Sequence, residues 1–196
     1  MYKKEDFLHY YYLENYIFFN VSEKFSSNHR IDAFDFYCIL VWCEDVDPKK
    51  IKKQLLKKSK RDKSIPKRFQ NNFDFVVKKI SRDLFNIEDD KGKLDYLYNE
   101  WKLPLELSFA ILSVCYPDIY AVFNMEAADH LDKDEKTNHF TRLLKLTSFD
   151  NIWERYMEYI DKLNKNINSK KRLNDKVRWI QGKEFASEVK RAIKKK

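Results

Sequence analysis

Three acidic side chains between residues 103 and 130 carry carboxylates, which can act as a general acid or base. Glu106 lies near the start of an apolar segment, and Glu126 and Asp129 follow that segment. Glu126 and Asp129 are three residues apart, so both side chains would lie on one face of a helix. Such a carboxylate could transfer a proton in a reaction. Acidic residues are also common in the first turn of a helix, where they interact favourably with its dipole, and we favour that interpretation.

The segment that would position these carboxylates is LPLELSFAILSVCYPDIYAVFN, residues 103–124. A turn at 102–106 precedes a predicted helix at 106–116, whose residues are almost all apolar. A helix that is apolar on all sides is typical of a protein core. Asn124 precedes MEAADHL, and asparagine is a favourable N-cap residue. The sequence therefore predicts a hairpin, a buried helix and a second helix capped by Asn124.

The rest of the chain also has helical patterns, which predicts an all-α protein. Asp47 before Pro48 is typical of a helix start, because the cap precedes a proline at the first helical position. The sequence EDDKGK, residues 88–93, is predicted to be a loop. Sustained polar and apolar alternation, which is typical of strands, does not occur. Further helices are predicted at 5–19, 31–43, 48–60, after Pro66, at 148–163, 171–181 and 183–194.

Composition excludes several classes of site. Two glycines in 196 residues are too few for a Rossmann fingerprint or a P-loop, so no nucleotide cofactor is expected. Cys38, Cys43 and Cys115 lie in apolar sequence without metal-ligand spacing, so we expect buried thiols, no metal and a cytoplasmic protein. His130 and His139 have no acidic or hydroxyl partner at a recognisable spacing. A signal peptide and a membrane-spanning apolar run are also not expected.

The net charge of +8 is unevenly distributed along the chain. Residues 48–80 carry 13 basic and 2 acidic side chains, and residues 169–196 carry 11 and 3. The stretches between and before these blocks are acidic. If the basic blocks converge on one face, they would attract a phosphate backbone. The candidate DNA-binding residues are Lys57, Lys58, Lys60, Arg61, Lys63, Lys67, Arg68, Lys102, Lys170, Lys171, Arg172, Lys176 and Arg178.

Two segments resemble the helix-hairpin-helix (HhH-GPD) DNA glycosylase superfamily, and especially a bacterial branch of it. SFAILSVCYPDIYAVFNMEAADHL is similar to the branch's small-residue helix and its Tyr-Pro-Asp-x-Tyr run, with the match covering 110–124. KKRLNDKVRWIQGK, residues 170–183, resembles the branch's closing element, with Leu173, Asp175, Trp179 and Gly182 in matching places. Together the segments cover about a fifth of the chain. The resemblance implies a two-lobed helical fold, with lobes at 46–136 and at 1–45 plus 137–196.

The resemblance also implies that the family's functional positions have changed in this chain. The two hairpin glycines align with Lys102 and Pro104. Proline offers no N–H to a DNA phosphate, whereas Lys102 offers a charge. The lysine nucleophile of lyase members aligns with Glu106, and the family aspartate aligns with Asn124. The arginine that follows this aspartate in the bacterial branch aligns with Glu126. These changes predict that base-excision chemistry has been lost.

Three functions fit the sequence. The first is a DNA-binding protein on a glycosylase-like scaffold, related to DNA repair proteins but without catalysis. The second is an active DNA glycosylase for a modified base, with Glu106 or Glu126 as its acid. The third is a protein-interaction module, for example in genome or phage defence, whose partner is another protein. We favour the first, because the basic blocks are prominent while the family's catalytic residue types are missing.

Overall fold

The computed structural model describes residues 12–43, 46–135, 138–166, 172–178 and 180–181. These residues are helical, with turns between the helices and without any strand, which confirms the all-α prediction. None of the described helices is long and apolar enough to cross a membrane. The chain divides into two compact units, residues 1–116 and 117–196. The predicted helix at 183–194 and the start of the one at 5–19 lie outside the described residues.

The first unit contains the helices from α1 to α6. α1 combines a π-helical stretch, Tyr16–Val21, with an α-helical stretch, Ser22–Asn28. α2 spans Ala33–Trp42, α3 spans Pro48–Ser59, and α4 spans Phe73–Phe85. α5 begins as α-helix at Asp90–Asp95 and continues as π-helix at Tyr96–Glu100, and α6 spans Leu105–Cys115. A short 3₁₀ helix, Lys67–Phe69, lies between α3 and α4.

Side-chain caps explain where several of these helices begin. Asp47 accepts hydrogen bonds from the backbone N–H groups of Lys49 and Lys50, with Pro48 at the first helical position, as predicted. Asp32 caps α2 in the same way and Asn72 caps α4. The predicted loop at 88–93 is confirmed only for residues 88 and 89, because Asp89 accepts a hydrogen bond from the Gly92 N–H and α5 starts at Asp90. A local cap therefore outweighs the loop-like composition of that segment.

α6 is the central helix of the first unit, as its apolar sequence predicted. All of its residues except Glu106 are buried. It packs against α1, α2 and α5. The Ser108 hydroxyl donates to the carbonyl of Pro104 just before the helix, and the Ser113 hydroxyl donates to that of Ala110 within it, so both serines can be buried. Burial raises the pKa of the Cys115 thiol, which agrees with the predicted packing role of this residue.

The second unit contains α7, Met125–Glu135, and α8, Phe149–Asn166, with a 3₁₀ helix at Leu143–Lys145 between them. Residues 173–178 are also helical. Tyr156 and Tyr159 of α8 are buried and donate hydrogen bonds to the carbonyls of Ala121 and Val122. Asn174, which is also buried, accepts one from the Val122 N–H. These contacts hold the extended segment 120–124 in the core of the unit.

The unit boundary differs from the predicted lobes, which joined residues 1–45 to 137–196. In the structure, α2 packs against α3, α4 and α6 within the first unit. Two long-range hydrogen bonds explain this grouping: the Ile31 N–H donates to the Ser81 hydroxyl, and the Ala33 N–H donates to the Asp74 carboxylate. Because both donors would otherwise be left without partners, they hold the start of α2 on α4.

Candidate nucleic-acid interface

A tight turn at residues 101–104 joins α5 to α6, at the place where the sequence predicted a hairpin. The Trp101 N–H donates to the Tyr96 carbonyl at 3.0 Å, and the Leu103 N–H donates to the Leu97 carbonyl at 3.1 Å. Lys102 has a φ of 58°, in the left-handed region that favours glycine. Pro104 then precedes the first residue of α6. Lys102 therefore adopts a backbone conformation that favours glycine while it carries a charged side chain.

α3 lies beside this turn, although it is about fifty residues earlier in the sequence. The Gln54 side-chain amide donates to the Lys102 carbonyl at 2.6 Å and to the Trp101 carbonyl at 3.3 Å. The Lys58 ammonium lies 5.3 Å from the centre of the Trp101 ring, in cation–π geometry. Trp101 itself is buried. One face of the basic helix α3 is thus fixed against the turn that presents Lys102.

The charges of Lys58 and Lys102 influence each other. Partial burial lowers the pKa of Lys58, and the nearby Lys102 lowers it further. The carboxylates of Glu100 and Asp62 act in the opposite direction but do not cancel the effect. Burial is therefore the main cause of the lowered pKa, because the opposing Glu100 carboxylate outweighs the repulsion from Lys102.

Two further cations lie close to Lys58 in the sequence. Lys57 is an exposed residue of α3, and Arg61 is an exposed residue of the turn that follows the helix, where its N–H donates to the Lys58 carbonyl at 2.8 Å. We name the set Lys57, Lys58, Arg61 and Lys102 the α3–turn surface. All four members are among the residues predicted to bind DNA, and all of them lie in the first unit.

The other predicted residues of the first basic block lie close to the end of α3. Lys60, Lys63, Lys67 and Arg68 are exposed. The Ser59 hydroxyl donates to the Gln70 carbonyl at 2.6 Å and ties the 3₁₀ helix to α3. Arg68 lies 4.7 Å from the centre of the Phe69 ring, which stacks on Phe75 at 4.3 Å. This basic and aromatic cluster was not anticipated from the spacing of its residues.

The C-terminal basic residues lie in the second unit and differ in exposure. Arg172 is exposed, and Arg178 is half-buried at 3.9 Å from the Asp175 carboxylate. Lys176 is only 5% exposed, and its ammonium donates to the Asn164 side chain at 2.8 Å. Lys176 is therefore a buried structural residue rather than a surface contact, which corrects its inclusion in the predicted set. Lys170, Lys171, Trp179 and Gly182 lie outside the described residues.

The positions aligned with the family's catalytic residues have structural partners. Asn124 accepts a hydrogen bond from the Ala127 N–H at 2.9 Å, and so caps α7. Glu126 is exposed and accepts from the Gln181 amide at 3.4 Å. Asp129 forms an ion pair with Lys133 at 2.7 Å. Glu106 is half-buried in the first turn of α6, in the other unit. Glu126 thus has the helix-start position that we favoured from the sequence, whereas Asp129 lies beyond the first turn of α7.

His139 is half-buried at the surface and has an acidic partner in the tertiary structure. Its Nε2 atom lies 2.5 Å from a carboxylate oxygen of Glu158. The two residues are 19 apart in the sequence, so no local spacing indicated the pair. The described residues contain no group of three or more His, Cys, Asp or Glu side chains that could hold a metal ion.

Comparisons with protein-family models, with characterised proteins and with solved structures find no match for this chain.

Proposed function

We propose that the protein binds DNA through the α3–turn surface, on a scaffold like that of the helix-hairpin-helix glycosylases, and that it lacks base-excision activity. The observation that carries this proposal is the packing of α3 against the turn, where Gln54 donates to the Lys102 carbonyl and Lys58 lies over the Trp101 ring. Two basic elements that are distant in sequence are combined there into one surface.

The chemistry of that surface suits the phosphate backbone. Lysine and arginine neutralise phosphates and release condensed counterions, and this release provides most of the affinity of sequence-independent binding. Lys57, Arg61 and Lys102 are exposed, so a backbone can approach them. Contacts of this kind position a protein on a duplex but do not read its sequence. The proposal therefore predicts salt-sensitive binding with little dependence on sequence.

We propose the absence of catalysis because the residues aligned with the family's catalytic positions lack the required chemical groups. Asn124 is an uncharged amide that is already engaged in capping α7. An amide cannot act as a base or neutralise a developing positive charge as an aspartate can. Glu106 has no amine with which to form an imine. An active glycosylase would instead need Glu106 or Glu126 as its acid.

The test compares two double variants that each remove two positive charges. Lys57→Gln with Lys102→Gln removes charge from the α3–turn surface. Lys52→Gln with Lys91→Gln is the matched control: Lys52 lies over the Phe73 ring on the other side of α3, and Lys91 lies at the start of α5, away from the turn. Duplex affinity is measured by fluorescence anisotropy between about 50 and 200 mM salt.

We expect the surface variant to lose affinity by about tenfold and its salt slope to fall by about 2, since each lost phosphate contact removes about 0.9. The control variant should retain the slope of the wild type. Equal losses in both variants would overturn the assignment of the surface. An absence of salt-dependent binding would overturn DNA binding itself and would favour a protein-interaction module. That alternative has one supporting feature, the exposed apolar stripe of Phe34, Tyr37 and Val41 on α2.

A further inference from the structure

A groove of about 680 Å³ lies in the second unit, between the turn at 138–142 and α8. Its volume is in the range of sites that hold small molecules. The lining includes Phe140 from the turn and Arg155, Glu158 and Asp161 from α8, together with Arg142. This groove is separate from the α3–turn surface in sequence and in structural unit, and the proposed DNA binding gives it no role.

The wall formed by the turn is fixed by a buried carboxylate. Asp132 of α7 is 1% exposed and accepts hydrogen bonds from the N–H groups of Phe140 and Thr141, each at 2.9 Å. It also accepts one from the Thr141 hydroxyl at 2.8 Å. The Phe140 ring is buried and packs edge-on against Tyr159. The groove is therefore a preformed feature with one apolar wall.

The carboxylates and the arginines that line the groove differ in whether they have ion-pair partners. Glu158 is occupied by His139 at 2.5 Å, and Asp161 by Lys165 at 2.5 Å. By contrast, neither Arg142 nor Arg155 forms an ion pair within the part of the chain that the structure describes. The Nε–H donor of Arg155 is buried and has no hydrogen-bond partner among the described residues. A buried donor without a partner costs free energy that a bound acceptor would recover.

We propose that this groove binds a small ligand through an oxyanion, a phosphate or a carboxylate, that is held by Arg142 and Arg155. The guanidinium group presents a fork of N–H donors that matches either oxyanion in two parallel hydrogen bonds. Arg155 contributes the buried donor, and Arg142 contributes a second fork from the facing turn.

The test is a calorimetric titration of the full chain with inorganic phosphate and, separately, with succinate, at constant ionic strength. We expect saturable binding of at least one of them, and the tighter one identifies the oxyanion class. Arg142→Gln should weaken this binding at least tenfold, because one fork is lost. Arg155→Lys keeps the charge but removes the fork, and should weaken binding by a similar factor.

The control is Lys145→Gln, which removes one positive charge from an exposed site close to Arg142 in sequence, outside the groove lining. Its affinity should equal that of the wild type. Circular dichroism and thermal melting establish that each variant is folded, and Arg142, being exposed, is the substitution that perturbs packing least. Titrations that do not saturate with either anion would overturn the proposal. Equal affinities in the wild type, Arg142→Gln and Arg155→Lys would overturn it as well.

Discussion

The side-chain amide of Gln54 donates a hydrogen bond to the backbone carbonyl of Lys102 at 2.6 Å. This contact joins α3 to the turn between α5 and α6. The carbonyls of residues 101 and 102 follow the end of a helix, where carbonyl groups lack partners within the helix. By satisfying them, Gln54 keeps the basic face of α3 next to the Lys102 side chain. The α3–turn surface therefore depends on a neutral residue that the charge pattern did not indicate.

Replacing Gln54 by methionine should loosen this arrangement. The side chain keeps its length but loses both hydrogen bonds, so we expect the free energy of unfolding to fall by about 1 to 2 kcal/mol. DNA affinity should fall as well, because Lys102 is no longer held beside Lys58. Urea denaturation and anisotropy measure the two effects. The control is Lys53→Met at the exposed neighbouring position, which should leave stability within about 0.5 kcal/mol of the wild type.

Lys58→Met separates binding from stability. The pKa of Lys58 is lowered in the folded protein by burial and by Lys102, so folding disfavours its charge. Methionine keeps the apolar contact with Trp101 and removes that charge. We expect duplex affinity to fall several-fold, while the free energy of unfolding at pH 7 falls by no more than about 0.5 kcal/mol or rises.

The same variant has a defined pH signature. Between the lowered pKa of Lys58 in the folded state and its ordinary value of about 10.4 in the unfolded state, the unfolded state binds more protons. Stability from this group therefore increases with pH in that window. As pH rises through this window, the unfolding free energy of the wild type should increase relative to that of Lys58→Met. A difference that is constant with pH would contradict the assigned cause.

Lys102→Gly should stabilise the protein and weaken DNA binding. Lys102 adopts a φ of 58°, which costs a residue with a side chain about 1 kcal/mol but costs glycine little. Glycine's greater freedom in the unfolded state offsets part of this gain. We expect a net gain of up to about 0.5 kcal/mol, together with the loss of one phosphate contact. His29→Gly is the control, because His29 has a φ of 57° and lies outside the α3–turn surface. It should leave DNA affinity unchanged.

Two substitutions at Asn124 distinguish its capping role from a catalytic one. Asn124→Ala should destabilise the protein by about 1 kcal/mol, because the bond to the Ala127 N–H is lost. Asn124→Asp retains an acceptor at a helix start and should be at least as stable as the wild type. Thermal melting measures both. A capping role predicts this order of stabilities, and equal melting temperatures for the two variants would exclude it.

The wild-type chain should leave a panel of duplexes with modified bases intact. Piperidine or alkaline treatment after incubation reveals abasic sites as strand breaks. Abasic sites that disappear in Glu106→Gln or Glu126→Gln would contradict the proposed loss of catalysis and would identify the acid. An unreactive panel together with salt-dependent duplex binding is the result that we expect.

Acid should destabilise the first unit partly through Asp74. Partial burial would raise its pKa, but the hydrogen bond from Lys78 and that from the Ala33 N–H lower it below the usual value. The stability from such a carboxylate is present above the unfolded pKa of about 3.9 and is lost as pH falls through the folded pKa. Asp74→Asn should therefore reduce stability at pH 7 by about 1 kcal/mol or less, given the exposure of the group. This deficit should shrink on acidification, and one that grows instead would refute the linkage.

The sequence by itself determined the helical class, the start of α3 at Asp47 and Pro48, the buried helix α6, and Asn124 as the cap of α7. These features depend on residues within one or two helical turns of each other, and helix periodicity and capping act over that range. The same local physics explains the failure at 90–93. The composition of that segment is typical of a loop, but the bond from the Gly92 N–H to Asp89 starts a helix there.

Only the tertiary structure decided which distant side chains meet. Gln54 and Lys102 are 48 residues apart, and His139 and Glu158 are 19 apart. Lys176 belongs to the same basic block as the exposed Arg172, yet it is buried and its ammonium donates to Asn164. Helix packing fixes these relationships, because it selects which face of each helix contacts the next, whereas periodicity defines only the faces. The basic surface and the arginine groove are therefore products of packing rather than of any motif.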